Sequence, residues 1–347
     1  MHAAPRNRIK RILRTYYPDI LWKHVYHVRT RSFNFLYKAS DITGRQYFVK
    51  SYRNIDTSKL QNEWQLYELL MKNHLSIPRV YANRNDALGS IARNPLTALS
   101  VQEYIKGRRY KGSGRLPEKY ALKAAQELAL LHNATLPNRS KLSMPSPIAR
   151  EVADGINVYK NILHNLNRTS PTTDRTGRIR DALAARIGAA IDADVVTALK
   201  HLKRLPLTVV HGDYAPSNII FGNDQIYIVD WERTRLYYWQ YDLFRAASNF
   251  ASSGIFTPYD SKKDLTKVRR FLMAYFSRRN KVSQQEIALL KMMPRIYCFI
   301  DTFPFRNVFI QDERWAQRYI PQTKDALSWW LANEKDYIHI VDTYYNH

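Results

Sequence analysis

One stretch of the chain concentrates groups able to take a proton and hold a hard cation: His211-Gly212-Asp213-Tyr214-Ala215-Pro216-Ser217-Asn218, followed by Ile219-Ile220-Phe221 and a Gly222-Asn223-Asp224 turn. A second apolar run, residues 225–229, leads into Asp230-Trp231-Glu232. If the two runs pair as strands across the turn, Asn218 and Asp230 come to the same end and both offer oxygens to one cation. Asp213, on the loop before Asn218, is placed to accept a proton from an incoming hydroxyl. A base, two Mg²⁺ ligands and little covalent chemistry are what phosphoryl transfer needs, because its catalysis is mostly positioning and charge neutralisation. The spacing H-x-D-x-x-x-x-N alone arises by chance in about 4% of chains of this length, taking each fixed residue at roughly one in twenty. A correctly spaced strand ending in Asp makes coincidence rarer. The competing reading has Asp213 capping a turn and Asn218 bonding only to backbone.

A matching cation stands upstream. Lys50 ends the run Tyr47-Phe48-Val49-Lys50, where it can pair nucleotide phosphates as the strand lysine of a kinase does. Taken alone, such a lysine is more often a solvent-facing strand residue. Glu63 and Glu68 are both candidates to orient it; at 100° per residue from Leu60 they fall at opposite edges of an apolar helix face, so helical geometry leaves the choice open.

The elements that must position these groups follow from periodicity. Residues 47–52 and 99–105 are short β-branched and aromatic runs, and residues 58–75 carry helical spacing. Ser58 with Gln61 forms a capping box, after which Leu60, Trp64, Tyr67 and Met71 share one face. Residues 106–117 concentrate Gly107, Gly112, Gly114 and basic side chains, and read as a connector. A helix over 118–132 and an Ala-rich helical stretch over 174–203 follow; residues 207–232 switch to strand and turn, and the chain beyond about Tyr241 is helical and aromatic-rich. The order is a small mixed lobe, a connector, then a larger helical lobe with a hairpin at its heart.

Composition narrows the class. The chain has 347 residues, 45% of them apolar and 24% charged, enough for a sizeable core. No apolar run reaches the roughly 18 residues of a membrane span. Residues 1–10 are basic and polar without a secretory pattern, and Cys298 is a lone cysteine, so a reducing, cytoplasmic setting is expected, with Cys298 as a packed thiol. There is no internal repeat.

These residues carry a family resemblance. From about Arg31 to Ala247, and most specifically over residues 210–232, the chain resembles the aminoglycoside phosphotransferase and choline kinase superfamily, small-molecule kinases with a protein-kinase-like fold. The resemblance implies an α+β, bilobal fold: a small β-rich N-lobe, residues 1–105, that binds nucleotide, and a larger helical C-lobe, residues 106–347, for catalysis and acceptor binding. It implies ATP and Mg²⁺, with Asp213 as catalytic base, Asn218 and Asp230 as metal ligands and Lys50 on the phosphates. The family's spacing from its helix glutamate to a proline-containing turn, here Ile77-Pro78-Arg79-Val80, favours Glu63 over Glu68. Val101-Gln102-Glu103-Tyr104-Ile105 resembles the interlobe strand whose backbone meets adenine, which assigns Glu103 and Ile105 to the nucleotide. Ser32 and Asn34 match polar positions of the phosphate-covering loop, although the turn Thr30-Arg31-Ser32-Phe33-Asn34 has no glycine, and Phe48 is bulky where a smaller residue usually flanks adenine. Residues 128–132 resemble the helix before the catalytic loop, and Tyr241-Asp242-Leu243 an acidic helix start in which Asp242 is structural.

The acceptor is read from charge and loop chemistry. Protein kinases carry Arg between the His and Asp of this loop, where it pairs an activation-loop phosphate; here that residue is Gly212, and the segment after Asp230 is short. A small-molecule or glycan hydroxyl is therefore the expected acceptor. With 54 Lys and Arg against 30 Asp and Glu, the formal charge of +24 disfavours a polycationic aminoglycoside, weakens a choline-like acceptor and favours acidic or phosphorylated sugars and anionic glycans. Nucleic acid is disfavoured for want of a reading motif, and His24 with His27 completes no metal site. Residues 6–16 form a basic amphipathic helix suited to an anionic membrane surface, though packing on the small lobe is the commoner use of such a helix. Trp329-Trp330 reads as core or interface before sugar platform. The alternative function is a binding or structural protein that keeps the kinase fold, such as a spore-coat-associated relative; Lys50, Asp213, Asn218 and Asp230 together favour the active kinase.

Overall fold

The structure, a computed structural model, describes residues 6–28, 34–52, 57–93, 96–110, 114–134, 146–169, 174–191, 195–202, 205–222, 225–252, 263–312 and 314–345. The first part of the chain runs α1 (Arg6–Tyr16), β1 (Trp22–Val28), β2 (Phe35–Asp41), β3 (Gln46–Tyr52), α2 (Thr57–Lys72), β4 (Val80–Tyr81), β5 (Ser90–Arg93) and β6 (Leu96–Glu103). After it come α3 (Glu118–Asn133), α4 (Ile148–Thr169), α5 (Asp174–Ile191), α6 (Val195–His201), β7 (Thr208–Val210), β8 (Ile219–Phe221), β9 (Ile226–Ile228) and β10 (Arg235–Tyr237). The remainder is helical: α7 (Trp239–Ala251), α8 (Leu265–Phe276), α9 (Gln284–Ile300), α10 (Phe305–Phe309), α11 (Ile320–Ala332) and α12 (Glu334–Tyr345). No described helix is long and apolar enough to cross a membrane.

Two compact units divide these elements. The first holds residues up to Arg109 together with Ile219–Glu232. Its sheet has the order β1-β2-β3-β6-β4, with β5 also on β6 and every pairing antiparallel. Strand alternation sorts β3 into two faces. Tyr47 and Val49 join Tyr37, Ala39, Leu99 and Val101 in a core that α1 covers with Ile9, Ile12 and Leu13. Lys50 is on the other face, opposite Leu36 of β2 and Ser100 of β6. The apolar side of α1, which a membrane would have had to receive, is thus buried on the sheet, worth roughly 1.5–3 kcal/mol for each fully buried aliphatic side chain. Its Arg6, Arg11 and Arg14 remain exposed. In α2, Leu60, Trp64 and Tyr67 are buried, as their spacing predicts; the Ser58 side chain lies outside the described residues.

The second unit is mainly helical. Its packing pairs α3 with α8, α4 with α9, and α7 with both α8 and α9. Helix α9 starts at a full capping box, Ser283 with Glu286. At Gly155, α4 approaches α9 so closely that a Cβ would fall on the carbonyl oxygen of Phe299. The 174–203 stretch forms two helices, α5 and α6, with residues 192–194 outside the described set. Strand β7 pairs not with the hairpin but with β10, in the register Val210↔Arg235. Cys298 is a buried free thiol and Trp330 is buried, while Trp329 is half-buried.

Candidate functional site

The first unit supplies the cation. Lys50 Nζ lies 3.0 Å from Glu63 Oε1 and 3.1 Å from Glu232 Oε1. Tyr52 also donates its hydroxyl to Glu63 Oε1, at 3.1 Å. Burial by itself would lower the lysine pKa, but Glu63 first, then Tyr52, Tyr67 and Glu232, more than offset it and hold the group charged above its ordinary range. Between the two helix carboxylates the structure chooses: Glu63 faces Lys50, and Glu68 is exposed. Asn34 is buried and donates Nδ2 to Glu232 Oε1 at 2.5 Å. Glu232 therefore joins Asn34 and Lys50, a role that the spacing of the run had not assigned to it. Its signal lay in its place two residues beyond Asp230. Ser32 lies outside the described residues.

Glu103 and Ile105 border a cavity of about 610 Å³ in the same unit, together with Gln46, Tyr104, Lys106 and Tyr227. The Glu103 amide donates to Arg79 O at 2.7 Å, which ties the end of β6 to the turn before β4. Strands β8 and β9 form the expected hairpin, in the register Ile219↔Ile228. Asn218 enters it and Asp230 leaves it. Asp230 has φ +69°, a left-handed backbone that a non-glycine residue adopts at a cost and that concentrates at functional sites. The Trp231 indole, donating to Ile228 O at 3.1 Å, pins this turn.

The second unit supplies the loop that carries Asp213. Asp242, wholly buried near the start of α7, accepts the His211 amide at 2.7 Å and the Gly212 amide at 3.0 Å. His132 Nε2 lies 3.3 Å from the same carboxylate, and its Nδ1 is 2.8 Å from the Tyr275 hydroxyl. Burial would raise the Asp242 pKa; the His132 hydrogen bond and the loop amides overcome it and keep the carboxyl below its usual range. Burial pushes the His132 pKa down, beyond what Asp242 restores, so the ring is neutral. Gly212 has φ +76°, and a Cβ there would stand 2.5 Å from Arg233 O, so the loop requires glycine.

Asp213 itself is half-buried and held at both oxygens. Arg245 Nη2 donates to Oδ1 at 2.6 Å, and Asn218 Nδ2 reaches Oδ2 at 3.3 Å and the Asp213 carbonyl at 2.9 Å. Burial raises the Asp213 pKa, but Arg245 first, then Arg233 and His211, bring it below the ordinary carboxylate value, so the group is ionised and able to accept a proton. The sequence reading did not find Arg245. Its only local sign was a position one helical turn after Asp242, on the same face of α7. Among the described residues no group of three or more His, Cys, Asp or Glu gathers as a metal cage.

A model of the phosphotransferase enzyme family matches residues 31–274. Among curated proteins none matches the sequence. Solved structures align over nearly the whole chain. A spectinomycin phosphotransferase in complex with ADP and spectinomycin has 14% identity, covering 96% of this chain and 100% of its own, with a TM-score of 0.64. A choline kinase from Cryptosporidium parvum has 13% identity, 99% and 100% coverage and a TM-score of 0.63. An amicoumacin kinase in complex with AMP-PNP, Ca²⁺ and Ami has 13% identity, 93% and 94% coverage and a TM-score of 0.57. Likeness at these identities is likeness of fold: an α+β, protein-kinase-like architecture with a β-rich N-terminal part and a helical remainder.

Proposed function

The chain belongs to the phosphotransferase enzyme family, and from that premise we propose that it transfers the γ-phosphoryl group of ATP to a hydroxyl of a small molecule or glycan. The observation that carries this reading is Lys50: a buried strand lysine kept charged at 3.0 Å from Glu63, as a phosphate-pairing cation must be. Residues 1–105 then carry the donor side, with the backbone of Glu103 and Ile105 on adenine and Ser32 and Asn34 over the phosphates. Residues 106–347 carry the catalytic loop and the acceptor. Asp213 takes the proton of the acceptor hydroxyl.

Asn218 and Asp230 would hold the metal. An amide oxygen and a carboxylate are hard oxygen donors, and Mg²⁺ characteristically takes one or two such protein groups with the rest of its shell from substrate phosphates and water, so the donor set fits. When bound there, Mg²⁺ would supply charge neutralisation for the phosphoryl group being transferred. Glu232 competes with those phosphates for Lys50, so nucleotide binding separates the 3.1 Å pair between them.

For the acceptor, the charge of +24 supports an acidic or phosphorylated sugar, or an anionic glycan. Gly212 in place of the protein-kinase arginine, and α7 beginning at Trp239 soon after Asp230, support a small acceptor rather than a peptide. The test is ADP release screened over anionic, neutral and cationic hydroxylated metabolites and glycans. The reading expects the highest kcat/KM on an anionic acceptor, falling as salt shortens the Debye length to about 8 Å at physiological ionic strength. A flat or rising salt profile would overturn the anionic assignment, and no ADP release above the water background on any acceptor would overturn the transfer reading.

A further inference from the structure

Helix α7 grips the catalytic loop twice. Asp242 holds the backbone of His211 and Gly212, and one turn later Arg245 reaches the side chain of Asp213. The guanidinium is anchored from behind: Nη1 donates to Asp301 Oδ2 at 2.8 Å and to the Tyr297 hydroxyl at 2.9 Å, and Tyr297 donates to the same Asp301 oxygen at 3.1 Å. The rear of this chain of contacts is more enclosed than its front. The side chains of Arg245 and Asp301 are 9% and 13% accessible, whereas that of Asp213 is 31% accessible. A fork whose rear arm is buried against Asp301 and Tyr297 can present its front arm in one orientation only.

The two oxygens of Asp213 are consequently unlike. Oδ1 is engaged by Arg245 at 2.6 Å, a short charge-assisted bond, while Oδ2 has the longer 3.3 Å contact from Asn218. We propose that Arg245, braced by Asp301 and Tyr297, is a positioning residue that fixes the Asp213 carboxylate so that Oδ2 is the oxygen receiving the acceptor's proton. The inference rests on the phosphotransferase reading above. In the step it serves, the acceptor O–H bond breaks and its proton passes to Oδ2. The acceptor oxygen forms a bond to the γ-phosphorus as the bond from that phosphorus to ADP breaks, and ADP leaves with the electron pair. Arg245 makes no contact with the reacting atoms; it acts through Asp213. Nothing in this role requires it to bind nucleotide, which separates it from Lys50.

The experiment is a double-mutant cycle on the full chain, with ADP release from MgATP measured first with water as acceptor and again with the acceptor returned by the screen. Misplacing a reacting group by about 1 Å costs on the order of 10²-fold, so R245Q is expected to lower kcat about 100-fold while KM for ATP stays within about two-fold. R245K keeps the charge but cannot reach Asp213 and Asp301 together, and is expected to recover about ten-fold over R245Q. Because Arg245 acts through Asp213, R245Q added to D213N should lower kcat no further than D213N alone. Three results would overturn the inference: R245Q turning over like wild type, R245Q and D213N multiplying their losses, or kcat and ATP affinity falling in parallel. If R245Q fails to fold, R245K is carried through the same cycle and read the same way. Wild-type protein that releases no ADP defeats the phosphotransferase reading itself, and the inference falls with it.

Discussion

Replacing Asp242 by Asn tests whether the loop that carries Asp213 is held by one buried carboxylate. The side chain has no exposed surface, and its two oxygens accept the His211 amide at 2.7 Å, the Gly212 amide at 3.0 Å and His132 Nε2 at 3.3 Å. An amide has one oxygen where the carboxylate has two. If the new NH₂ replaces Oδ1, it faces the Gly212 N–H; if it replaces Oδ2, it faces the His211 N–H. In either orientation one buried loop amide meets another donor, and the hydrogen bonds that survive lose their charge. An unsatisfied buried group costs about 1–3 kcal/mol, and a charged hydrogen bond exceeds a neutral one by about 1 kcal/mol, so D242N is expected to lose roughly 2–4 kcal/mol. At about 2–4 °C per kcal/mol for a unit of this size, the melting temperature should drop by about 5–15 °C. Turnover should fall further than the folded fraction does, because Asp213 rides on the released loop. Circular dichroism melts and ADP release on the same preparations measure both. A D242N melt within about 1 °C of wild type would refute the reasoning.

Lys50→Met should weaken MgATP binding by about 10- to 150-fold, the equivalent of a lost charge-assisted hydrogen bond of about 1.5–3 kcal/mol, and calorimetry with an unchanged dissociation constant would count against the phosphate role. Gly155→Ala improves helix propensity by about 1 kcal/mol, yet its Cβ falls on Phe299 O, so overpacking of about 1–3 kcal/mol should prevail and lower the urea midpoint. Stability should also decline as pH falls below the ordinary histidine value of 6.5: the folded pKa of His132 is depressed by burial, so its contribution is complete above 6.5 and is lost below it as the unfolded state takes up the proton. Melting temperatures for wild type and H132Q between pH 7.5 and 5.5 should differ in slope, with H132Q the flatter.

What the sequence made legible was local. The spacing of Asp213, Asn218 and Asp230 already implies a hairpin, because a turn and two short apolar runs leave few other arrangements, and the Ile219↔Ile228 register is that arrangement. Lys50 was legible as a strand residue, although β3 runs on through Ser51 to Tyr52 rather than ending at it. Partner choice was not legible, since it depends on which elements the topology brings together. Glu63 and Glu68 sit at symmetric edges of the α2 apolar face, and the contact of Glu63 with Lys50 of β3 separates them. Amphipathicity in α1 is consistent both with a bilayer and, more commonly, with a sheet; the core around Tyr37 and Val49 takes its apolar side. Arg245 is 32 residues from Asp213 and 56 from Asp301, so no local pattern links the three. The pairing of β7 with β10 was hidden likewise, because Thr208-Val209-Val210 is too short a run to mark its partner, which lies beyond the hairpin.

The central claim, that Asp213 is the base of a phosphoryl transfer, is tested most directly by following the γ-phosphate of labelled ATP into the best acceptor for wild type and D213N in parallel, with nucleotide affinity measured on both. The account predicts label in the wild-type product, a rate for D213N lower by about 10² to 10⁴, and MgATP dissociation constants within about two-fold of each other. Label transferred equally fast by D213N, with ATP bound equally well, would contradict it.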